Sequence, residues 1–264
     1  MKRFILLLFS FVIIWSISVA DTLSIDLDTA SEDDVGAMID ELSQIRVNMI
    51  RERLAANPIQ PTEEGAFTFR DIPWKSTKAQ AEAIMGLSAN REQPNIFIPI
   101  EVVEFPSSRY GVVKGETGVD ARYSKLNVAG YQATMYCEFI YPIEDGVIIR
   151  DPELAQLYMG YYWISNEDYT DIEGVLGDLE TKLSNVYGKP NDATTDYHTI
   201  KKWTDAYGNT IVLIASINMY DVAIAYIAAD ADESVEAMSN AVQNEIIKQE
   251  ELERLKNSTN VDGL

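Results

Sequence analysis

The sequence predicts an α+β protein: an antiparallel sheet with helices packed on one face, flanked by N- and C-terminal helices. Three observations lead there. In residues 131–139, Tyr131, Ala133, Met135, Cys137 and Phe139 alternate with Gln132, Thr134, Tyr136 and Glu138, the two-residue period of a strand with one apolar face. In residues 172–187, Ile172, Val175, Leu176, Leu179, Leu183, Val186 and Tyr187 recur at helical spacing. Three further strand-like runs, near 201–205, 210–217 and 221–228, follow in close succession, and Gly208-Asn209 turns the first two into a hairpin.

Taken in order, residues 1–20 read as a signal peptide. Lys2 and Arg3 precede an apolar run from Phe4 to Ile17, and the small residues Ser18 and Ala20 suit cleavage after Ala20. The run is shorter than the ~20 residues of a membrane span, so the expected product is secreted or extracytoplasmic, with no transmembrane anchor after cleavage. Residues 21–65 read as an N-terminal helix and linker. Ser31-Glu32-Asp33-Asp34 resembles a capping box; Val35, Met38, Ile39, Leu42, Ile45, Met49 and Leu54 form one stripe, and Asn57-Pro58 ends it.

The α+β domain is expected over 66–228. Residues 66–72 read as a short strand, Pro73 keeps the chain extended, and Ser76 or Thr77 caps a helix that Gly86 ends. Trp74 falls between strand and helix, where an indole would cover the end of a core. From Asn95 the texture is β, with Pro99 confining that run to an edge or a broken strand. Residues 106–122 read as an irregular loop, and 126–141 and 156–164 as strands. Gly188 and Pro190 stop the helix over 171–187. A charged helix over about 233–256, with a thin stripe of Val235, Met238, Val242, Ile246 and Leu252, fills the C-terminal segment 229–264.

The net charge of −21, with 42 acidic residues against 21 Lys and Arg, argues against nucleic acid and anionic membranes as partners, because both repel it. Cys137 is the sole cysteine, so no intramolecular disulfide exists and a core must stabilise the chain. Its apolar surroundings, "TMYCEFIY", point to a buried, inert thiol.

The catalytic inventory is short. His198 is the sole histidine, and one histidine without a cysteine cluster builds no zinc site. There is no Gly-x-Ser-x-Gly elbow, no Gly-x-Gly-x-x-Gly and no phosphate loop, so no cofactor is expected. Residues 26–34, "DLDTASEDD", resemble a calcium loop but lack its Gly at position six and its Glu at position twelve. Helix capping explains those acids, as it does "NEDYTDIE" before the helix at 171. Two carboxylates for glycoside hydrolysis need only a separation in space, so sequence spacing leaves that reading open.

At "FRDIPWKSTKAQAEAIMG", "LNVAGYQATMYCEF", "KLSNVYGKP" and "NTIVLI…VAIAYIA", the chain resembles a family of uncharacterised secreted proteins of gut Firmicutes. Those carry Phe-Arg-Gly-Ile-x-Trp-Gly-x-Ser before a helix, Val-Ala-Gly-Tyr opening a strand and Tyr-Gly-x-Pro ending a helix. The resemblance spans most of 25–256, rests on packing residues, and implies no catalytic residue. Asp71 and Lys75 stand where the family has glycine.

The sequence therefore favours a non-enzymatic binding or interaction module with a protein or glycan partner. A carboxylate-based hydrolase acting on extracellular glycans, and a structural protein pairing through its terminal helices, are the alternatives. The strand "QLYMGYYWI" is apolar on both faces, with Leu157, Met159, Tyr161 and Trp163 expected on one side and Tyr158, Tyr162 and Ile164 on the other. A flanking helix is expected to cover the second face, because large exposed apolar patches are uncommon on monomers. If that face is open instead, Tyr136, Tyr158 and Tyr162 are the candidate partner contacts.

Overall fold

The computed structural model describes residues 32–95, 97–99, 110–112, 116–165, 167–195, 198–216 and 221–259. The segment expected to be a signal peptide, its expected cleavage site and Ser31 lie outside them. The chain divides into two compact units, with the boundary between Glu52 and Arg53. The first unit holds most of helix α1, Glu32–Ala56. Everything that follows belongs to the second.

That second unit is built on eight antiparallel strands. In chain order these are β1 (Arg91–Asn95), β4 (Gly118–Val128), β5 (Tyr131–Ile140), β8 (Gln156–Ser165), β9 (Asn191–Asp192), β10 (His198–Thr204), β11 (Thr210–Ser216) and β12 (Asp221–Ile227). In space the order is β1-β4-β5-β8-β12-β11-β10-β9. Two small hairpins stand apart, β2 (Phe97–Pro99) with β3 (Tyr110–Val112), and β6 (Ile143–Glu144) with β7 (Val147–Ile148). Helices α2 (Lys78–Met85), α3 (Ile172–Tyr187) and α4 (Ala231–Thr259) complete the unit.

The end signals of α2 and α3 are local and stand in the structure. Thr77 closes a capping box with Gln80, and Gly86 ends α2 in the left-handed region. Asp171 caps α3, whose buried face is Ile172, Val175, Leu176, Leu179 and Leu183 against β11 and β12. Val186 departs from the expected stripe, being 72% exposed, whereas the next residue, Tyr187, packs against the core with its ring edge-on to Phe67. The first half of α4 is part of the core, with Met238 and Val242 fully buried.

Strand boundaries differ more. The expected strand over 126–141 is the end of β4, a turn and β5. Ala129 and Gly130 both have positive φ, as a tight hairpin turn with matching twist requires. Alanine in the first of those positions hides the turn, since the usual signal is Asn-Gly. The expected loop over 106–122 contains the first residues of β4, and β1 precedes the β texture read from Asn95. Pro94 lies in β1, at the sheet edge where a proline costs no ladder hydrogen bond.

Residues 66–72 form no strand; Phe69 and Ile72 make one isolated bridge inside a tight turn. The corner is tied to β8 instead: Lys75 N–H donates to Leu157 O at 3.0 Å, Leu157 N–H to Ser76 O at 2.9 Å and Lys78 N–H to Ala155 O at 2.8 Å. The Trp74 indole is half-buried at the edge of the core and donates from Nε1 to Phe67 O at 2.8 Å. It is an architectural residue.

Arg70, Asp71 and Lys75 all have positive φ, at 55°, 60° and 64°. At Asp71 and Lys75 side-chain-bearing residues thus take a conformation that costs each about 1–2 kcal/mol. Lys75 has a compensation in its ion pair with Asp230 at 2.5 Å. Asp71→Gly should therefore stabilise the protein by about 0.5–1 kcal/mol, the relieved strain less the added flexibility of the unfolded chain. A urea midpoint below that of the parent would refute this account of the corner.

Candidate functional site

Cross-strand register creates the most unusual chemistry in the described residues. Asp120 on β4 stands directly opposite Glu138 on β5, and Gln93 on β1 stands opposite Asp120. Directly opposed residues project from the same face with Cβ atoms about 5 Å apart. Gln93, Asp120 and Glu138 thus form one row across three strands, although they are far apart in sequence.

Tyr158 extends the row. A bulge in β8 shifts its pairing with β5, so that Glu138 faces Met159 while Phe139 faces Leu157. The inserted residue is Tyr158, whose hydroxyl donates to Glu138 Oε2 at 2.6 Å. The Gln93 and Asn95 amides hydrogen-bond to the Asp120 carboxylate, yet Asp120 Oδ1 is buried without a partner. Both carboxyl groups belong to half-buried residues.

Burial pushes Asp120 up to about 6, against hydrogen bonds from Gln93 and Asn95 that pull the other way. Burial and then the Asp120 charge push Glu138 up to about 8, opposed by the Tyr158 hydroxyl. The two steps belong to the pair, because each carboxylate makes the other harder to ionise. At neutral pH such a pair holds a proton on one member and a charge on the other, the complement that acid–base chemistry needs.

The three tyrosines proposed as partner contacts are not brought together as an open face. Tyr158 is 5% exposed and committed to Glu138; Tyr162 is 6% exposed and packs on the opposite side of the sheet against Phe69 and Tyr226. Tyr136 is half-buried and stacks on Tyr161, with ring centroids 4.8 Å apart. The bulge also corrects the expected facing of β8: Leu157 shares a side with Tyr162 and Ile164, not with Met159, Tyr161 and Trp163.

Other reactive groups serve structure. Cys137 is fully buried, and burial raises its thiol pKa far above the ordinary value. Lys78, the first residue of α2, is buried beside Glu153 at 2.7 Å, Glu92 at 3.1 Å and Glu82 at 3.7 Å. Burial alone would lower its pKa, but those carboxylates raise it above the ordinary lysine value. This cluster pins α2 to β1 and to the 3₁₀ turn Pro152–Leu154. His198 opens β10 at half-burial. Among the described residues no group of three or more His, Cys, Asp or Glu side chains could hold a metal ion, and no helix is long and apolar enough to cross a membrane.

A surface depression lies elsewhere. An open groove of about 540 Å³ runs between the end of α3 and the β9–β10 edge, lined by Glu180, Ser184, Gly188, Lys189, Pro190, Asp192 and Lys201. Lys201 is held by Asp192 at 2.7 Å and by Glu180 at 3.8 Å. The Trp203 indole donates to Gly188 O at 2.8 Å, fixing the end of α3 on the sheet.

The class these features define is an α+β protein on an eight-stranded antiparallel sheet, with a paired-carboxyl row on one face and an open, mixed-charge groove at one edge. No protein-family model, curated protein or solved structure matches the chain.

Proposed function

We propose that this protein is a secreted or envelope-associated, non-enzymatic binding module whose ligand, a glycan or a peptide segment of another protein, lies in the groove beside α3. The groove carries the reading. Its volume falls in the range of small-ligand sites. Its lining offers cations, carboxylates and a hydroxyl that can hydrogen-bond to polar ligands. The acidic chain and its N-terminal signal-like segment support an extracytoplasmic setting.

The test is an array of glycans and peptides probed with the chain lacking residues 1–20. Ser184→Arg with Lys189→Glu should abolish any specific binding while leaving the melting temperature unchanged, since both positions lie at the groove surface. Specific binding that survives in this double variant would exclude the groove.

A second reading, hydrolysis by two carboxyl groups, is favoured by one observation, the opposed Asp120 and Glu138 with their separated protonation steps. Under it, a glycan panel incubated with the protein should show bond cleavage that Glu138→Gln removes. Cleavage unaffected by Glu138→Gln would reject it.

A further inference from the structure

The Asp120–Glu138 pair has a consequence independent of either reading above. Antiparallel neighbours with like charges directly opposite are destabilising, and here the opposition lies in a half-buried row. No described cation answers it. From β1 come the amides Gln93 and Asn95, and from β8 the Tyr158 hydroxyl. On β4 the next residue of that face, Arg122, lies over the Tyr136 ring at 5.8 Å. The helix α4 also packs against β5, but it buries Met238 and Val242 and commits Glu245 to Arg150. A proton is the remaining way to relieve the repulsion. It also lowers the cost of burying Asp120 Oδ1 without a partner, because a neutral carboxyl is penalised less by burial than a carboxylate.

We propose that Asp120 and Glu138 hold one proton between them at neutral pH, and that its loss in alkaline solution loosens the β1–β4–β5 side of the sheet, making this region a pH-responsive element. The sign follows from linkage. Both groups take up protons more readily folded than unfolded, so the stability they contribute is complete below their ordinary values of 3.8 and 4.5. It is lost as pH rises through about 6 and about 8. The remainder of the sheet contains no such pair among the described residues, so the loss should be regional before it is global.

Hydrogen exchange, corrected for intrinsic rates, reads this as the protection of β4 and β5 amides relative to β11 and β12. Between pH 6 and pH 9 the relative protection should fall on the order of tenfold or more in the wild-type protein. In Glu138→Gln, where a neutral amide replaces the acid that ionises last, it should stay nearly flat; in Asp120→Asn, where the burial of Glu138 remains, the fall should be smaller than in wild type. A fall in Glu138→Gln parallel to that of wild type would overturn the proposal. Carbon-13 titration of the wild-type carboxyl groups provides a check that needs no variant: a Glu138 carboxyl that ionises near 4.5 would overturn it. So would calcium or magnesium restoring protection at pH 9 in wild type but not in Glu138→Gln, which would make the pair a cation site.

Discussion

Phe69→Ala should destabilise the protein by about 3–5 kcal/mol, the range for truncating a buried aromatic ring. Phe69 is fully buried and packs against Tyr162 and Tyr226, with centroids 5.0 and 5.6 Å away. Its ring occupies the space above Gly160 on β8, where an added Cβ would stand 2.3 Å from the ring. Gly160→Ala should therefore also destabilise, by about 1–3 kcal/mol or more, through overpacking. The pair should be coupled: Leu in place of Phe69 should recover part of the loss in the Gly160→Ala background. Chemical denaturation of the two single variants and the Phe69→Leu/Gly160→Ala double variant decides the matter. Simple additivity would mean the ring does not seat on the glycine.

Leu179→Ala should cost about 2–5 kcal/mol. Leu179 is fully buried at the centre of the α3 face that lies against β11 and β12, where no solvent can relax into the cavity left behind. Val186→Ala, one of the apolar positions of the same helical stripe, should change stability by less than about 0.5 kcal/mol, because its side chain is 72% exposed. The contrast separates packing from helix propensity, which favours alanine at both positions. Equal melting temperatures for Leu179→Ala and the parent would show α3 to be peripheral to the fold.

The elements legible in the sequence were those specified by neighbours a few residues apart. Thr77 with Gln80, Asp171 with Gly174, and Gly86 define helix ends through hydrogen bonds and dihedral preferences that need no other part of the chain. The alternation along β5 correctly separated Ala133, Met135, Cys137 and Phe139, all fully buried, from the more exposed Gln132. The Ala129-Gly130 turn was less legible because alanine carries no signal for a left-handed position. Val186 was misplaced because helical spacing describes a stripe without saying which of its last positions meets a neighbour; Tyr187 does, against Phe67.

The paired carboxyls were invisible at that level. Asp120 and Glu138 are each ordinary acids in strands of mixed character, and nothing local distinguishes them from the other forty acidic residues. The bulge that adds Tyr158 to the row is likewise a property of β5 and β8 together.

By itself the sequence determined the α+β class, the caps and stops of α2 and α3, the apolar face of β5 and the inert setting of Cys137, since each depends on short-range sterics or on the local pattern of apolar residues. Tertiary structure alone decided which acids face one another, on which side of the sheet Tyr158 and Tyr162 lie, and that Phe69 seats on Gly160. These are contacts between segments tens of residues apart, and strand register sets them: a shift of one residue would turn every side chain to the opposite face.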